Sequence, residues 1–358
     1  MWYNLLAGIL ICCSAIPLIQ NQHWVFRIFD FAKVQILFLQ TFFWISAWFW
    51  TGGYVLFYIF QALLFICIIT NILQLVHYTP FYPLDKKERS PYASKAVSII
   101  SANIYQFNTE YERFLAIIRK HHPDMVLTME SNKDWEDALK VLEKQYPYRY
   151  YVCLENTYGM HLYSRLRLSD IREHYFVADD IPSIQCTVTT DDGHRFTFFG
   201  VHPPPPSPTE EDTSKERDGE LLSVAKVIQS LKEPCIVAGD FNNVAWAKSA
   251  RLFRKTACMI DPRIGRGLIS TYHAKYFLLR FPIDQLYHST DIFVEEIRAL
   301  DNFGSDHLPL YCRFYIDTAN PVQEKETEDL EQGDMEEVNE MIEEGKKEEG
   351  DRDAVAEE

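Results

Sequence analysis

The segment Cys235-Ile236-Val237-Ala238-Gly239-Asp240-Phe241-Asn242 carries the pattern that decides the fold of this 358-residue chain. Apolar residues precede Gly239, and Asp240 and Asn242 follow it, which predicts a buried strand that ends in a polar turn. Polar side chains at the end of a buried strand are held by a rigid core, as functional side chains often are. Considered alone, however, Asp240 and Asn242 are also ordinary turn and helix-cap residues.

The same arrangement occurs at the ends of five further predicted strands. Their polar residues are Asn103, Glu130, His202, Asp284 and the pair Asp306-His307. Carboxylate and amide oxygens are hard ligands that suit Mg²⁺ or Mn²⁺ better than Zn²⁺. A His–Asp pair can take a proton from water, because the carboxylate fixes the tautomer of the imidazole and stabilises its cation. The strand ends together therefore predict metal-assisted hydrolysis of a phosphodiester by in-line attack of water.

The region 93–316 alternates between strand and helix patterns. Strands are predicted at 97–104, 125–129, 148–154, 160–163, 183–189, 195–201, 235–238, 285–288 and 309–316. Helices are predicted at 109–121, 134–145, 221–231 and 245–254. Strands outnumber helices and many are joined as hairpins, which favours an α+β fold over a doubly wound parallel sheet. We expect a four-layer α/β/β/α sandwich, in which two mixed sheets pack face to face with helices outside.

The ordered set of motifs resembles the endonuclease/exonuclease/phosphatase superfamily, whose members include pancreatic-type deoxyribonuclease, sphingomyelinases and inositol-polyphosphate phosphatases. The motifs are Asn103, Glu130, Gly239-Asp240-Phe241-Asn242, Ile283-Asp284 and Ser305-Asp306-His307-Leu308-Pro309. Any one of them arises by chance, but the ordered set is specific. The resemblance covers about 93–316. The apolar N-terminus, Tyr78-Thr79-Pro80-Phe81 and Gly265-Arg266-Gly267 resemble the bacterial membrane-anchored branch of that superfamily.

The resemblance implies a metal site. Glu130 would be the main Mg²⁺ ligand, with Asn103 beside it, and Mn²⁺ could replace Mg²⁺. Asp306 would bind the metal or orient its neighbour. One departure is Gln285, because the family often has His at this position.

The resemblance also implies catalytic roles. Asp240 would position or deprotonate the attacking water, and Asn242 would hold a phosphate oxygen. His202 would stabilise the transition state or the leaving group. Asp284 would pair with His307, and either Asp240 or His307 would be the base.

Three apolar, uncharged runs predict a multi-pass membrane anchor within residues 1–76. They lie at 2–19, 34–50 and 54–76, close to the roughly 20 residues that a helical span needs. Thr51-Gly52-Gly53 predicts a tight turn that joins the last two runs as a hairpin. Arg27 and Lys33 precede this hairpin and more basic residues follow it, so we expect the catalytic domain on the cytoplasmic side. The alternative is that the runs are core helices of a soluble protein.

The remaining segments are a linker and an acidic tail. Residues 77–92 are predicted to form a Pro-rich linker. The net charge is −16, but 18 acidic and four basic residues lie within 317–358, so the rest of the chain carries only −2. We expect this tail to be disordered. The nearly neutral body excludes a strongly basic nucleic-acid clamp.

The sequence as a whole predicts a membrane-anchored, Mg²⁺-dependent phosphoesterase. Its substrate would be a phosphodiester of a nucleic acid or of a phospholipid head group, and its partner would be the lipid bilayer. No obligate protein partner is indicated. Two alternatives stay open: a non-catalytic membrane scaffold that keeps the fold, and a soluble, secreted nuclease with an uncleaved leader.

Overall fold

The computed structural model describes residues 2–50, 54–84, 87–208, 210–348 and 350. The predicted turn Thr51-Gly52-Gly53 lies outside them. The helices are α1 (Trp2–Ala15), α2 (Trp24–Phe31), α3 (Lys33–Trp50), α4 (Val55–Leu75), α5 (Tyr111–His121), α6 (Lys133–Leu139), α7 (Lys215–Gln229), α8 (Lys248–Ala257) and α9 (Asp334–Lys347). The strands are β1 (Val97–Asn103), β2 (Met125–Met129), β3 (Tyr148–Val152), β4 (Met160–Ser164), β5 (Arg167–His174), β6 (Ser183–Thr189), β7 (Arg195–Val201), β8 (Cys235–Asp240), β9 (Asp284–His288), β10 (Ile292–Ala299) and β11 (Leu310–Ile316).

The strands form two mixed sheets. The first sheet has the order β10-β11-β1-β2-β4-β3, and the second has the order β5-β6-β7-β8-β9. Among the described strands, β1–β2 and β7–β8 pair in parallel and the other neighbours are antiparallel. In each parallel pair the two carboxyl ends lie side by side, so polar residues that follow these strands are brought together.

Apolar side chains fill three layers of core. Leu127, Phe198 and Ile236 belong to the core between the two sheets. Trp135 belongs to the core between the first sheet and α5–α6, and Phe253 to the core between the second sheet and α7–α8. Full burial of one such side chain is worth about 1.5–3 kcal/mol. The predicted four-layer α+β sandwich is confirmed.

Two strands were not predicted, and both are irregular. β5 pairs only with β6 and is largely exposed, with a register shift between Ser169 and Arg172. β10 has a shift between Val294 and Glu296 and pairs only with β11. An edge strand with a bulge lacks a clean two-residue alternation, because pairing rather than local pattern stabilises it.

The acidic segment differs from the predicted disordered tail. Residues 334–347 form α9, in which Val338 and Ile342 are buried against α7. Backbones approach closely there, since a Cβ on Gly345 would lie 2.7 Å from the carbonyl oxygen of Lys215. The disorder prediction is wrong for α9, because four apolar residues recur at helical spacing within an acidic composition. Residues 351–358 lie outside the described part of the chain.

The apolar N-terminal segment forms helices of unequal length. Within the described residues, Val55–Tyr78 is the one continuous helix that is long and apolar enough to cross a membrane, with a mean hydropathy of 2.3. Trp24–Phe31 and Lys33–Phe49 meet that criterion only as a pair, and they bend by 69° at their junction. Trp2–Leu18 is shorter than a span. Length and composition therefore support one spanning helix.

The N-terminal helices pack directly on the sandwich. The indole Nε1 of Trp246 donates to the carbonyl oxygen of Asp30 in α2 at 2.8 Å. Leu75 and Tyr78, at the end of α4, share an apolar cluster with Trp246 and Ile283. This contact lies beside the loop that follows β8, so the N-terminal helices support one wall of the region described next.

Candidate active site

Asp240 is the last residue of β8, and the position before it accepts only glycine. Gly239 has φ of 156°, and a Cβ there would lie 1.9 Å from the carbonyl oxygen of Val201 on β7. Any larger residue at 239 would clash with β7. Glycine therefore allows β7 and β8 to stay paired up to the residue before Asp240. Asp240 lies opposite Asp284 of β9, and its Oδ1 accepts a hydrogen bond of 2.9 Å from the backbone N–H of Asn242.

Asn103 and Glu130 meet at the ends of β1 and β2. Asn103 is opposite Met129 in the parallel register, so Glu130 comes directly beside it. The amide Nδ2 of Asn103 donates to Glu130 Oε1 at 2.7 Å and to Asp240 Oδ2 at 3.2 Å. Asn103 thus connects the polar ends of the two sheets. The other oxygen of Glu130 accepts from the backbone N–H of Gln106 at 3.1 Å.

His307 and Asp284 form a buried pair. Nδ1 of His307 lies 2.8 Å from Asp284 Oδ2, and Nε2 lies 3.5 Å from Asp240 Oδ2. Burial by itself lowers the pKa of His307, but the carboxylates of Asp284 and Asp240 outweigh it and raise the pKa to about 10. The two carboxylates therefore favour the protonated form of His307.

A serine fixes the His307 segment to the first sheet. Ser305 Oγ donates to the carbonyl oxygen of Asn103 at 2.9 Å and accepts from the backbone N–H of His307 at 3.0 Å. It also lies 3.4 Å from Asp306 Oδ1. One hydroxyl thus connects the turn that carries Asp306 and His307 to the strand that carries Asn103.

His202 lies across the cleft from His307, in a different electrostatic state. Its Nε2 is 4.0 Å from Asp240 Oδ2, and its ring packs on Tyr158 with the centroids 5.4 Å apart. Burial lowers the pKa of His202 to about 4, although Asp240 acts in the opposite direction. His202 is therefore neutral, and its Nδ1 has no hydrogen-bond partner among the described residues.

Asn242 is held by the backbone that it faces. The side-chain Nδ2 of Asn242 donates to the carbonyl oxygen of Pro203 at 2.9 Å. The backbone carbonyl oxygen of Asn242 accepts from Arg217 Nη1 at 3.0 Å. An amide nitrogen has two hydrogens, so one remains for a phosphate oxygen. That role of Asn242 stays a prediction.

The donor set fits a divalent cation. Burial and, to a smaller extent, the charge of nearby Asp306 raise the pKa of Glu130 to about 7. The hydrogen bonds from Asn103 and Gln106 act in the opposite direction. Carboxylate oxygens of Asp240 and Asp284 lie within 4.8 Å of each other. Such a concentration of carboxylates is stabilised by a bound cation, and oxygen donors suit hard divalent ions. The structure thus brings together all eight residues that the sequence predicted for the site.

Two neighbours of the cluster were not predicted. The ring of Tyr272 lies 4.8 Å from that of His307, between centroids, and covers one side of it. Arg217 is buried in α7 and also pairs with Asp218 at 2.7 Å. No sequence signal marks either residue, because Tyr272 belongs to no motif and Arg217 lies within a run of charged residues.

Comparison with known proteins agrees with the geometry. A model of the Endonuclease/Exonuclease/phosphatase family matches residues 100–307. No curated protein sequence matches the chain.

Solved structures share the fold at low sequence identity. D. rerio TDP2, complexed with a single-strand DNA product, has a TM-score of 0.53 and 18% identity over 62% of this chain and 99% of its own. An endonuclease/exonuclease/phosphatase from Beutenbergia cavernae has a TM-score of 0.51 and 16% identity over 63% and 73%. The catalytic domain of human Nocturnin, with a bound sulfate anion, has a TM-score of 0.50 and 18% identity over 61% and 94%.

These structures support the fold, and the family match extends over more than half of the 358 residues. The match includes Asn103, Glu130, Asp240, Asp284 and His307. The chain therefore belongs to the Endonuclease/Exonuclease/phosphatase family and is a divalent-metal-dependent hydrolase of phosphoester bonds.

Proposed function

We propose that this protein is a membrane-anchored, Mg²⁺-dependent phosphodiesterase that acts on the head group of a phospholipid. The observation that carries the hydrolytic part is the Asp284–His307–Asp240 arrangement beside Glu130 and Asn103. The proposal divides the chain into an anchor (1–76), a linker (77–92) and a catalytic domain (93–316). Helix α9 adds to that domain.

Each polar residue has a proposed task. Glu130 and Asp306 would hold the metal, for which Mg²⁺ is our choice because the donors are oxygens. Asn103 lies beside them and would hold the Glu130 carboxylate in place through its Nδ2. When bound, Mg²⁺ polarises the phosphoryl oxygen and stabilises the leaving alkoxide.

Asp240 and His307 are the two candidate bases, and the charges around His307 favour Asp240. The carboxylates of Asp284 and Asp240 favour the protonated form of His307, which can stabilise charge on the phosphoryl oxygens rather than accept a proton. We therefore assign deprotonation of the attacking water to Asp240. The water oxygen forms the new bond to phosphorus as the bond to the leaving oxygen breaks. Neutral His202 faces the same carboxylate and can hydrogen-bond to the leaving group.

An exposed apolar loop supports a lipid substrate. Residues 276–279 are Tyr-Phe-Leu-Leu, and their side chains are 59%, 80%, 78% and 56% exposed. Gln35 Nε2, near the start of α3, donates to the carbonyl oxygen of Leu278 at 2.8 Å. The loop therefore lies beside the end of α3 that is nearest the catalytic domain. If α3 enters a bilayer, this is the height at which aromatic and aliphatic side chains contact the membrane interface.

The same loop is connected to the active site. The backbone N–H of Ala274 donates to the carbonyl oxygen of Asp306 at 2.6 Å, and Tyr272 packs on His307. Lys275 and Arg280 flank the apolar residues and would attract anionic head groups, by about 1 kcal/mol each near a membrane surface. A substrate in the bilayer surface would thus reach the metal ligands with little displacement from the membrane.

The anchor and its orientation are part of the same proposal. α1, α3 and α4 would each cross or enter the bilayer, with α2 along its surface. Arg27 and Lys33 would lie on the cytoplasmic side together with the catalytic domain.

Nucleic acid is the second candidate substrate. The similar D. rerio TDP2 structure contains a single-strand DNA product. Exposed Tyr105 and Phe107 lie on the loop after Asn103 and offer rings on which bases could stack. The nearly neutral body of the chain makes this the weaker candidate, because phosphate-backbone binding depends on Lys and Arg.

The test uses the full chain in lipid nanodiscs with Mg²⁺. Mixed phospholipid vesicles, single-stranded DNA and the soluble diester bis(4-nitrophenyl) phosphate are assayed side by side. We expect turnover of phospholipid that EDTA and Asp240→Asn abolish, whereas Glu112→Gln, a surface carboxylate, retains it. Phe277→Ser with Leu278→Ser should reduce turnover of vesicles but not of the soluble diester. Turnover of DNA alone would replace the lipid proposal, and a folded protein inactive on all three would favour a scaffold.

A further inference from the structure

A second cluster of potential ligands lies on the helix-facing side of the first sheet, away from the strand-end site. It contains Glu136 of α6, Cys153 directly after β3 and His161 of β4. One ligand atom from each residue lies within 4.8 Å of the other two. The three residues come from three separate elements, so the fold rather than local sequence assembles them.

His161 occupies a position where an apolar residue would be expected. Its strand neighbours Met160 and Leu162 face the core between the sheets, whereas Tyr163, on the same side as His161, packs with Trp135 under α6. The side chain of His161 is fully buried. Burying a polar group without a hydrogen-bond partner is unfavourable, because its lost contacts with water are not replaced.

Both ring nitrogens of His161 lack a hydrogen-bond partner among the described residues. Burial lowers the pKa of His161 to about 4, so the imidazole is neutral and has a free lone pair. A neutral imidazole with a free lone pair is the form that binds a transition metal. The ring contacts of His161 with Tyr151 and Tyr163 provide packing but no hydrogen bond.

The other two residues complete the ligand chemistry. Cys153 is a free thiol of intermediate burial, and the Glu136 side chain is only 17% exposed. Glu136 Oε1 pairs with Lys133 Nζ at 2.6 Å, but the Lys133 side chain is 57% exposed and can move away from it. Sulfur, imidazole and carboxylate donors together suit Zn²⁺ better than Mg²⁺.

We propose that Glu136, Cys153 and His161 bind one Zn²⁺ ion, with water in the fourth position. Tetrahedral ligands about 2.0–2.3 Å from Zn²⁺ lie roughly 3.5 Å from one another. Side-chain rotations that move the ligand atoms by about 1 Å would therefore bring them to zinc-binding distances. On binding, the thiol loses its proton to solvent and the thiolate binds the metal. The ion would join α6 to the β3–β4 edge.

The position of this site relates it to the strand that leads to Glu130. His161 is opposite Thr128 in the β2–β4 register, and Thr128 Oγ1 lies 2.6 Å from Ser131 Oγ. Fixing β4 and α6 would therefore stabilise the end of β2. The proposal is independent of the phosphodiesterase proposal, because it needs none of the strand-end residues.

Co²⁺ is a spectroscopic probe that separates the two sites. The full chain in detergent, with excess Mg²⁺, is titrated with Co²⁺. Only a site with a thiolate gives a sulfur-to-cobalt charge-transfer band, so cobalt at the Asp240 cluster does not contribute to it. We expect a band that saturates at one Co²⁺ per chain and disappears when Zn²⁺ is added.

Matched variants test the ligand assignment. Cys153→Ser should abolish the band, whereas Cys258→Ser, at an exposed free thiol, should leave it unchanged. Glu136→Gln is at a partly exposed position and should keep the fold, while it weakens Co²⁺ binding at least tenfold. Added Zn²⁺ should also raise the melting temperature of the natural chain but not of Cys153→Ser. Absence of the band in the folded natural chain, or its persistence in Cys153→Ser, would overturn the proposal.

Discussion

The two buried histidines His307 and His161 show how neighbours decide what an imidazole can do. His307 lies between two carboxylates, and their charge raises its pKa to about 10 in spite of burial. The ring nitrogens of His161 have no hydrogen-bond partner among the described residues, and burial lowers the pKa of His161 to about 4. Both side chains are almost inaccessible to solvent, so burial alone cannot explain the difference. The first is built to carry a positive charge, and the second is built to offer a lone pair.

Among variants that keep Asp240, the largest expected effect comes from removing the partner of His307. In Asp284→Asn the amide cannot stabilise the cation, and it can also favour the wrong ring orientation. We expect kcat to fall by about 10²–10³-fold, as loss of one group that stabilises transition-state charge does. The measurement is turnover of bis(4-nitrophenyl) phosphate with Mg²⁺. A fall of less than tenfold would mean that Asp284 does not govern His307.

The pH dependence of stability should have opposite signs at the two histidines. His161 has a folded pKa below its unfolded value of about 6.5, so its unfolded form binds the proton more readily. Its contribution to stability is present above pH 6.5 and is lost as the pH falls toward 4. At pH 5 the cost is about 2 kcal/mol. His161→Phe in EDTA should therefore raise the melting temperature more at pH 5 than at pH 7.

His307 provides the opposite case. Its folded pKa is raised, so its contribution is fully present below pH 6.5 and is lost as the pH rises through about 10. His307→Gln should destabilise the metal-free protein most below about pH 6.5, with a difference that shrinks steadily as the pH rises from there to about 10. Thermal unfolding in EDTA across this pH range measures both variants. The same pH trend for both histidines would remove the distinction between them.

A smaller effect should follow from loosening the backbone under His307. Ser305→Ala removes one hydroxyl that connects Asn103 and His307. One buried hydrogen bond is worth about 0.5–1.5 kcal/mol, so we expect a loss of about three- to tenfold in kcat. Ser289→Ala, which removes a hydroxyl contact to Cys235 far from the cleft, is the matched control and should leave kcat unchanged.

Part of the fold could be predicted because its signals are local. The strand ending in Gly239-Asp240 has a continuous apolar run, a required glycine and a polar turn within eight residues. The edge strands β5 and β10 could not be predicted in the same way, because partners far along the chain stabilise them. Helix α9 was not predicted either, because its composition is acidic. Val338 and Ile342 stabilise it only by packing against α7, and that contact is not visible in the local sequence.

The site divides along the same line. The residue types at the strand ends indicated carboxylate and imidazole chemistry without a structure. Tyr272 and Arg217 were not foreseen, because their importance comes from the side chains that they contact. The spacing of Glu136, Cys153 and His161 matches no metal motif, so only the packing of α6 on β3 and β4 brings them into one group.

The sequence by itself determined the four-layer class, the apolar N-terminal helices and the set of polar strand ends. The spacing of apolar residues and the residue types in turns are properties of short stretches of sequence. The fold class, the apolar helices and the polar strand ends depend mainly on these two properties. Only the tertiary structure decided which histidine is surrounded by carboxylates that favour its protonated form, and that residues 334–347 form a packed helix. A pKa and a packing energy depend on distances between residues remote in sequence, and folding alone sets those distances.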